Sequence, residues 1–355
     1  MPKTPQASLI TNKSNIAYLS GFTGSAGYML LTKSTKYLFT DFRYIERAKN
    51  TIKKGIKTVD ISKIRKNPED IKKHWQSVLK KHRIKSIGVE EEDLTVTKYK
   101  NFKKLFPRVR LINISGKIEK KRELKNRTEI RLTAKSQQIN EKVFLEIKKF
   151  VQRELKKSRL KTLKITELDL AWKIKQMGNE FGAEDVSFNP IVAFGKHSAL
   201  PHHDPTKTKL KKGDIILIDM GMKYKGYCSD MTRMIFTEKP TPFQKEIYNT
   251  VLKAQETCIN GLKAGISGAK ADSLARKVIE AAGYGEQYGH SGGHGVGLDI
   301  HEIPNLAEKY KKKLKKDSII TVEPGIYLPG KFGVRIEDML LITEKGSKNL
   351  TKVSK

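Results

Sequence analysis

Only two cysteines, Cys228 and Cys258, occur in 355 residues, and they form no CxxC spacing. That excludes a disulfide framework and a thiolate-built zinc module, and it points to a reducing compartment, read here as the cytoplasm. Long apolar runs are also missing. Those present extend over a few residues, far short of the ~20 that span a bilayer, so no membrane partner is expected. The opening MPKTPQASLITNKSN lacks an apolar h-region, and no secretory signal is expected either. Acidic residues are outnumbered, 38 against 71 lysines and arginines, for a net charge of +33. Such a balance raises nucleic acid as a partner. The excess is mostly lysine, however, dispersed in clusters such as IKKGIK, LKKHRIK and KYKKKLKK with few interleaved aromatics. A solvated lysine-rich surface is the expectation, and nucleic-acid binding is not.

What is present centres on Ile215 to Arg233, IILIDMGMKYKGYCSDMTR. Its apolar start reads as a buried strand, and Gly221 with the 223–226 segment reads as a turn, giving a hairpin that carries Asp219 and Asp230. Two aspartates returning side by side from buried strands are costly unless a cation compensates them. Further donors follow: His294 in the glycine-rich HSGGHGVGLDIHE, Glu323 in IITVEPGIY and Glu337 in FGVRIEDMLLI. Both glutamates stand in apolar, β-branched surroundings where an unpaired charge is unfavourable. Any one of these residues alone would be explained by a turn cap or a solvent-facing side chain. Together, one imidazole and four carboxylates form a hard, oxygen-rich set suited to manganese, with cobalt, iron or zinc as alternatives.

The order Asp219, Asp230, His294, Glu323, Glu337, with the flanking text LPHHDPT, IDMG, SDMTR, GHGVGLDIHE, VEPGIY and VRIED, closely resembles the Xaa-Pro peptidases, aminopeptidase P and prolidase, of the creatinase and methionine aminopeptidase superfamily. NIAYLSGFTGSAG and YLFTDFRY resemble that family's amino-terminal domain. The resemblance implies an α/β N-terminal domain followed by an α+β pita-bread domain with a curved antiparallel sheet, helices outside it and an internal pseudo-twofold. It implies two divalent metal ions held by Asp219, Asp230, His294, Glu323 and Glu337, with Glu323 doubling as proton shuttle. It further implies that His202 and His301 contact the scissile carbonyl or the proline side, that His290 borders the proline pocket, and that Tyr327 stands at the site. Arg335 lies two residues before Glu337, so strand alternation directs both to one face; the resemblance gives it a role beside the ligand carboxylates. His203 is expected to be a bystander.

The resemblance implies as substrate a peptide with proline at its second position, and a homodimer whose N-terminal domain covers the active site or mediates subunit contacts. Release of the residue preceding proline from longer peptides is the first reading, because GFTGSAG and TDFRY look like the short bacterial aminopeptidases P; cleavage of Xaa-Pro dipeptides is the second. A non-catalytic nucleic-acid or ribosome-binding relative, and a creatinase-type hydrolase without metal, both predict lost metal ligands, whereas this chain keeps all five.

Along the chain, residues 1–115 are expected to form the N-terminal domain, 116–126 a charged linker and 127–355 the catalytic domain. Strands are expected at 28–31, 37–40 and 86–89, with helices at 43–53 and 68–83, the second capped by Asn67. Asp41 reads as a helix-start aspartate. Beyond the linker, an amphipathic helix or pair of helices covers 129–156, followed by a helix from Thr166 with a capping-box partner in Asp169 and a strand over 186–194. Helices over 241–262 and 269–282 complete the reading.

Overall fold

The alternating signals of the first third build a six-stranded mixed sheet in the order Ile56–Asp60, Lys36–Thr40, Tyr28–Leu31, Ala7–Ile10, Ser86–Val89, Arg110–Asn113. The computed structural model describes residues 4–64 and 67–355, and the chain divides into two compact units between Arg122 and Glu123. In the first unit, Phe39 stacks on Tyr28 and Trp75 at ring-centroid distances of 5.0 and 4.9 Å, and Phe106 meets Trp75 edge-on. The helix Pro68–Lys81 begins as expected, with the Asn67 side chain accepting from the Asp70 amide. Asp41 behaves differently. Its carboxylate accepts from the backbone, Nε and Nη2 of Arg43, and the helix Ile45–Thr51 starts without a side-chain cap.

The expected linker is less solvated than its charge suggests. It contains the helical turn Glu119–Arg122 and buries Arg122, Glu123 and Lys125. The reason is pairing: Lys125 Nζ lies 3.2 Å from Glu302, and Lys315 donates to Glu123 at 2.7 Å.

In the second unit one continuous helix, Arg127–Lys157, begins with a capping box between Asn126 and Glu129. Its buried face, Ile139, Val143, Phe144, Ile147 and Val151, packs with the helix Glu167–Glu180 onto a three-stranded antiparallel sheet of Met231–Phe236, Ile215–Met220 and Ile191–Phe194. The helices Pro242–Gly261 and Gly268–Ala281 cover a five-stranded sheet, in the order Glu302–Leu306, Gly293–Gly295, Ile319–Val322, Asp338–Ile342, Ser347–Asn349. Gly325–Leu328 pairs with Phe332–Arg335 beside it. This is the α+β pita-bread arrangement of antiparallel sheets under helices. Among the described residues no helix is long and apolar enough to cross a membrane.

Two local expectations change. The strand foreseen over 186–194 is broken into Asp185–Val186 and Ile191–Phe194. Between them Ser187 Oγ donates to the carbonyls of Met222 and Ser229, and Pro190 has no N–H to contribute. In the hairpin the turn is only Lys225-Gly226, with φ of +48° and +81°, linking Met222–Tyr224 to Tyr227–Cys228; such two-residue turns match strand twist. Gly221 is no turn residue. It sits where the chain crosses between sheets, and a Cβ there would lie 2.0 Å from the Ser229 carbonyl oxygen.

Candidate metal centre

Strand pairing brings the candidate donors together. Asp219, near the end of Ile215–Met220, lies opposite Thr232 on one neighbour and Ile191 on the other. Asp230 immediately precedes Met231–Phe236, His294 is central in Gly293–Gly295, Glu323 follows Ile319–Val322, and Glu337 lies in the break between Phe332–Arg335 and Asp338–Ile342. The break places Glu337 off the strand that carries Arg335, yet both reach Thr232 Oγ1. That hydroxyl donates to Glu337 Oε2 at 2.7 Å and accepts from Arg335 Nε at 3.0 Å.

One ligand atom each from Asp230, His294 and Glu337 lie within 4.8 Å of one another. His294 Nδ1 donates to the Gly295 carbonyl at 3.1 Å, which leaves Nε2 as the free lone pair, 3.5 Å from Asp230 Oδ2 and 3.4 Å from Glu323 Oε1. These spacings suit donors that share an ion, each ~2.0–2.2 Å from it. Burial, then the charges of Glu337, Asp219 and Glu323, push the Asp230 carboxyl well above its usual range; burial followed by Glu323 and Asp219 does the same to Glu337. Burial also raises Glu323 and lowers His294. Asp219 Oδ1 and Asp230 Oδ1 are buried with no hydrogen-bond partner among the described residues. Orphaned carboxylate oxygens in an acid-rich pocket fit a divalent cation, which removes both the desolvation and the repulsion.

Arg335 links this acidic set to the rest of the cavity. Its Nη2 donates to Asp219 Oδ2 at 2.7 Å, and its Nη1 donates to the Tyr327 hydroxyl at 2.8 Å and to the Pro201 carbonyl at 3.2 Å. Burial opposes its charge, but Tyr327, Asp219 and Glu323 outweigh that and keep it protonated. Burial pushes the Tyr327 phenol up to about 12. Its hydroxyl therefore remains a donor, directed to His290 Nε2 at 2.9 Å, while His290 Nδ1 donates to the Ser291 carbonyl. Burial lowers His290 and His301, favouring neutral rings. The His301 and His294 rings meet edge-on, 4.4 Å between centroids.

A cavity of about 690 Å³ collects these groups: Asp219, Asp230, His294, Glu323, Glu337, Arg335, His202, His290 and His301 all line it. Tyr327 stands behind His290. Phe188, Asn189, Ile191, Ile300 and Asn305 supply further wall that the sequence did not single out. Two supporting hydroxyls were also passed over, Thr232 and Thr321, the latter donating to Glu323 Oε1 at 3.1 Å. Each lies two residues from a ligand-type carboxylate along a strand, and alternation was the signal that could have found them. Behind the cavity wall, Glu167 and His197 join His203, which itself lines the cavity, in a second cluster whose ligand-type atoms lie within 4.8 Å.

Antiparallel sheets under helices, with one imidazole and four carboxylates converging in a deep cavity, define the class as a metal-dependent hydrolase. The chain belongs to metallopeptidase family M24, whose model matches residues 131–344, and a creatinase/prolidase N-terminal domain matches residues 3–124. It is 35% identical over 358 residues to an Xaa-Pro dipeptidase of Pyrococcus horikoshii, covering 98% of this chain and 93% of the relative. It is 37% identical over 345 residues to a putative Xaa-Pro aminopeptidase of Mycoplasma pneumoniae, covering 96% and 91%. The solved Xaa-Pro dipeptidase from Bacillus anthracis superposes with a TM-score of 0.90 at 37% identity, covering 99% of this chain and 94% of that one. The protein is thus a metallopeptidase of the Xaa-Pro peptidase group.

Proposed function

We propose that this protein is a dinuclear Xaa-Pro aminopeptidase, which releases the residue preceding proline from the N-terminus of peptides. The observation that carries the reading is the convergence, in one cavity, of five donors, two of them with orphaned oxygens, and three histidines. In this reading Asp219, Asp230, His294, Glu323 and Glu337 hold two divalent ions, manganese foremost because the set is rich in carboxylate oxygen. Bound there, the ions would supply a water acidified to near neutrality and would polarise the scissile carbonyl. Glu323, which lines the cavity, would receive the water's proton and pass it to the leaving proline nitrogen. His301 and His202 donate hydrogen bonds to the developing oxyanion and to the proline side. His290, oriented by Tyr327, walls the proline ring. Arg335 fixes Asp219 in place.

A proline peptide bond is a tertiary amide without N–H, so a site need not supply an acceptor for it. The dipeptidase reading is retained because relatives in Pyrococcus horikoshii and Bacillus anthracis carry that name. Turnover of an alanyl-proline dipeptide against an alanyl-prolyl-alanine tripeptide separates the two. Tripeptide cleavage at a comparable kcat/KM is the expected result, and cleavage confined to the dipeptide would replace the first reading by the second. Free, buried Cys228 and Cys258 support a reducing, cytoplasmic setting. The dispersal of the lysines supports a surface role for the net charge without nucleic acid. A homodimer rests on the family resemblance, and light scattering would test it.

A further inference from the structure

Glu167 lies outside the cavity wall, yet its carboxylate collects more donors than any residue of the metal centre. It occupies the first position of the helix Glu167–Glu180 and is fully buried. Oε1 accepts from the Phe194 amide at 2.8 Å and from His197 Nδ1 at 2.8 Å. Oε2 accepts from His203 Nε2 at 2.9 Å, and from the amide and hydroxyl of Thr206 at 2.9 and 2.7 Å. All five donors come from residues 194 to 206, the segment that carries His202.

The same segment is held from its other side by the site strand. Ser198 Oγ accepts from the Gly333 amide at 2.9 Å, and the Pro201 carbonyl accepts from Arg335. His202 therefore stands between two fastened neighbours, Pro201 tied to Arg335 and His203 tied to Glu167. Glu167, His197 and His203 have metal-ligand chemistry, but their geometry is that of hydrogen bonding. Both imidazoles approach at 2.8 and 2.9 Å as N–H donors, and Thr206 occupies Oε2 besides. A shared ion would require unprotonated nitrogens ~2.0 Å from it.

We propose that Glu167 and His203 are positioning residues for His202, holding it in register with the metal centre through a buried carboxylate hub. The inference rests on the substrate-facing role given to His202 above. Hydrogen bonds to an ionised acceptor are the stronger kind, so removing one loosens the segment without touching the donors Asp219 to Glu337. A displacement of ~1 Å in a group that contacts the reacting atoms costs about a hundredfold in rate.

The test is a double-mutant cycle on alanyl-proline hydrolysis in manganese, with bound metal and thermal unfolding measured on each protein. His203→Ala is expected to lower kcat about a hundredfold, leave bound metal unchanged, and be largely rescued by His203→Gln, whose amide still donates to Glu167. In the His202→Ala background, His203→Ala is expected to have no further effect. Equal losses with and without His202 would overturn the inference, as would loss of a metal equivalent in Glu167→Gln. If His202→Ala alone leaves kcat unchanged, the role of His202 fails first and the inference falls with it, while the metal-dependent activity stands. Should His203→Ala fail to fold, Glu167→Gln runs through the same cycle with the same expected and contrary results.

Discussion

Asp230 shows how much this site depends on a cation. It is buried, Oδ1 has no partner among the described residues, and one of its carboxylate oxygens lies within 4.8 Å of one from Glu337. At that spacing and an effective dielectric of ~20, two full charges repel by about 3.5 kcal/mol. Asp230→Asn should therefore stabilise the metal-stripped protein by about 1–3 kcal/mol at neutral pH, read by urea unfolding. It should also abolish the stabilisation that added manganese gives the wild type. A metal-free variant less stable than metal-free wild type would contradict the electrostatic account. Glu167 works in the opposite sense. Burial raises its carboxyl, but the bonds from His203, Thr206, Phe194 and His197 outweigh that and hold it below its usual range. A depressed folded value means that its contribution is present above the unfolded carboxylate range and lost as pH falls through the folded value. Glu167→Gln should accordingly flatten the acid limb of the stability-against-pH curve below about pH 4.5 while lowering stability at neutrality. An unchanged acid limb would remove Glu167 from that linkage. The sequence made Asp219, Asp230, His294, Glu323 and Glu337 legible because each carries chemistry that its apolar surroundings cannot otherwise accommodate. It hid Glu167, since a glutamate in a helix's first turn is already explained by the helix dipole. His203 was hidden by its neighbour His202.

The hairpin through Gly221 sets the distance between the two aspartates. Ile215–Met220 and Met231–Phe236 are paired along their length, but beyond Met220 the chain crosses to a second sheet with Gly221 against the Ser229 carbonyl. Gly221→Ala places a methyl carbon where backbone already stands, an overpacking that typically costs 1–3 kcal/mol. The strain falls between Asp219 and Asp230, so the variant should lose metal affinity as well as stability, measured by metal titration and thermal unfolding. A stability loss with unchanged metal affinity would dissociate the crossing from the site. Helices were the more legible elements, because their ends carry local signals: Asn67, Asn126, Thr166 and Thr241 all cap as their side chains allow. The strand over 186–194 was misread because its interruption is tertiary. Ser187 donates its side-chain hydrogen bonds to the carbonyls of Met222 and Ser229, 35 and 42 residues away in sequence. That interruption gives the cavity Phe188 and Asn189, wall residues that no local pattern marks.

At the scale of the whole molecule, two compact units correspond to the two matched family domains, and the chemistry lies in the second. The division falls within the charged stretch read as a linker, where buried pairing by Glu123 and Lys125 could not be foreseen from polarity alone. The central claim is that the carboxylate and imidazole set from Asp219 to Glu337 binds the metal on which Xaa-Pro hydrolysis depends. The most direct measurement is alanyl-proline hydrolysis by metal-stripped protein with manganese, cobalt or zinc restored, alongside bound-metal analysis and an Asp230→Ala control. The account predicts no activity without metal, recovery on addition with manganese foremost, and a fall of at least about a hundredfold in the control. Full activity after metal removal, or an Asp230→Ala protein as active as wild type, would contradict it.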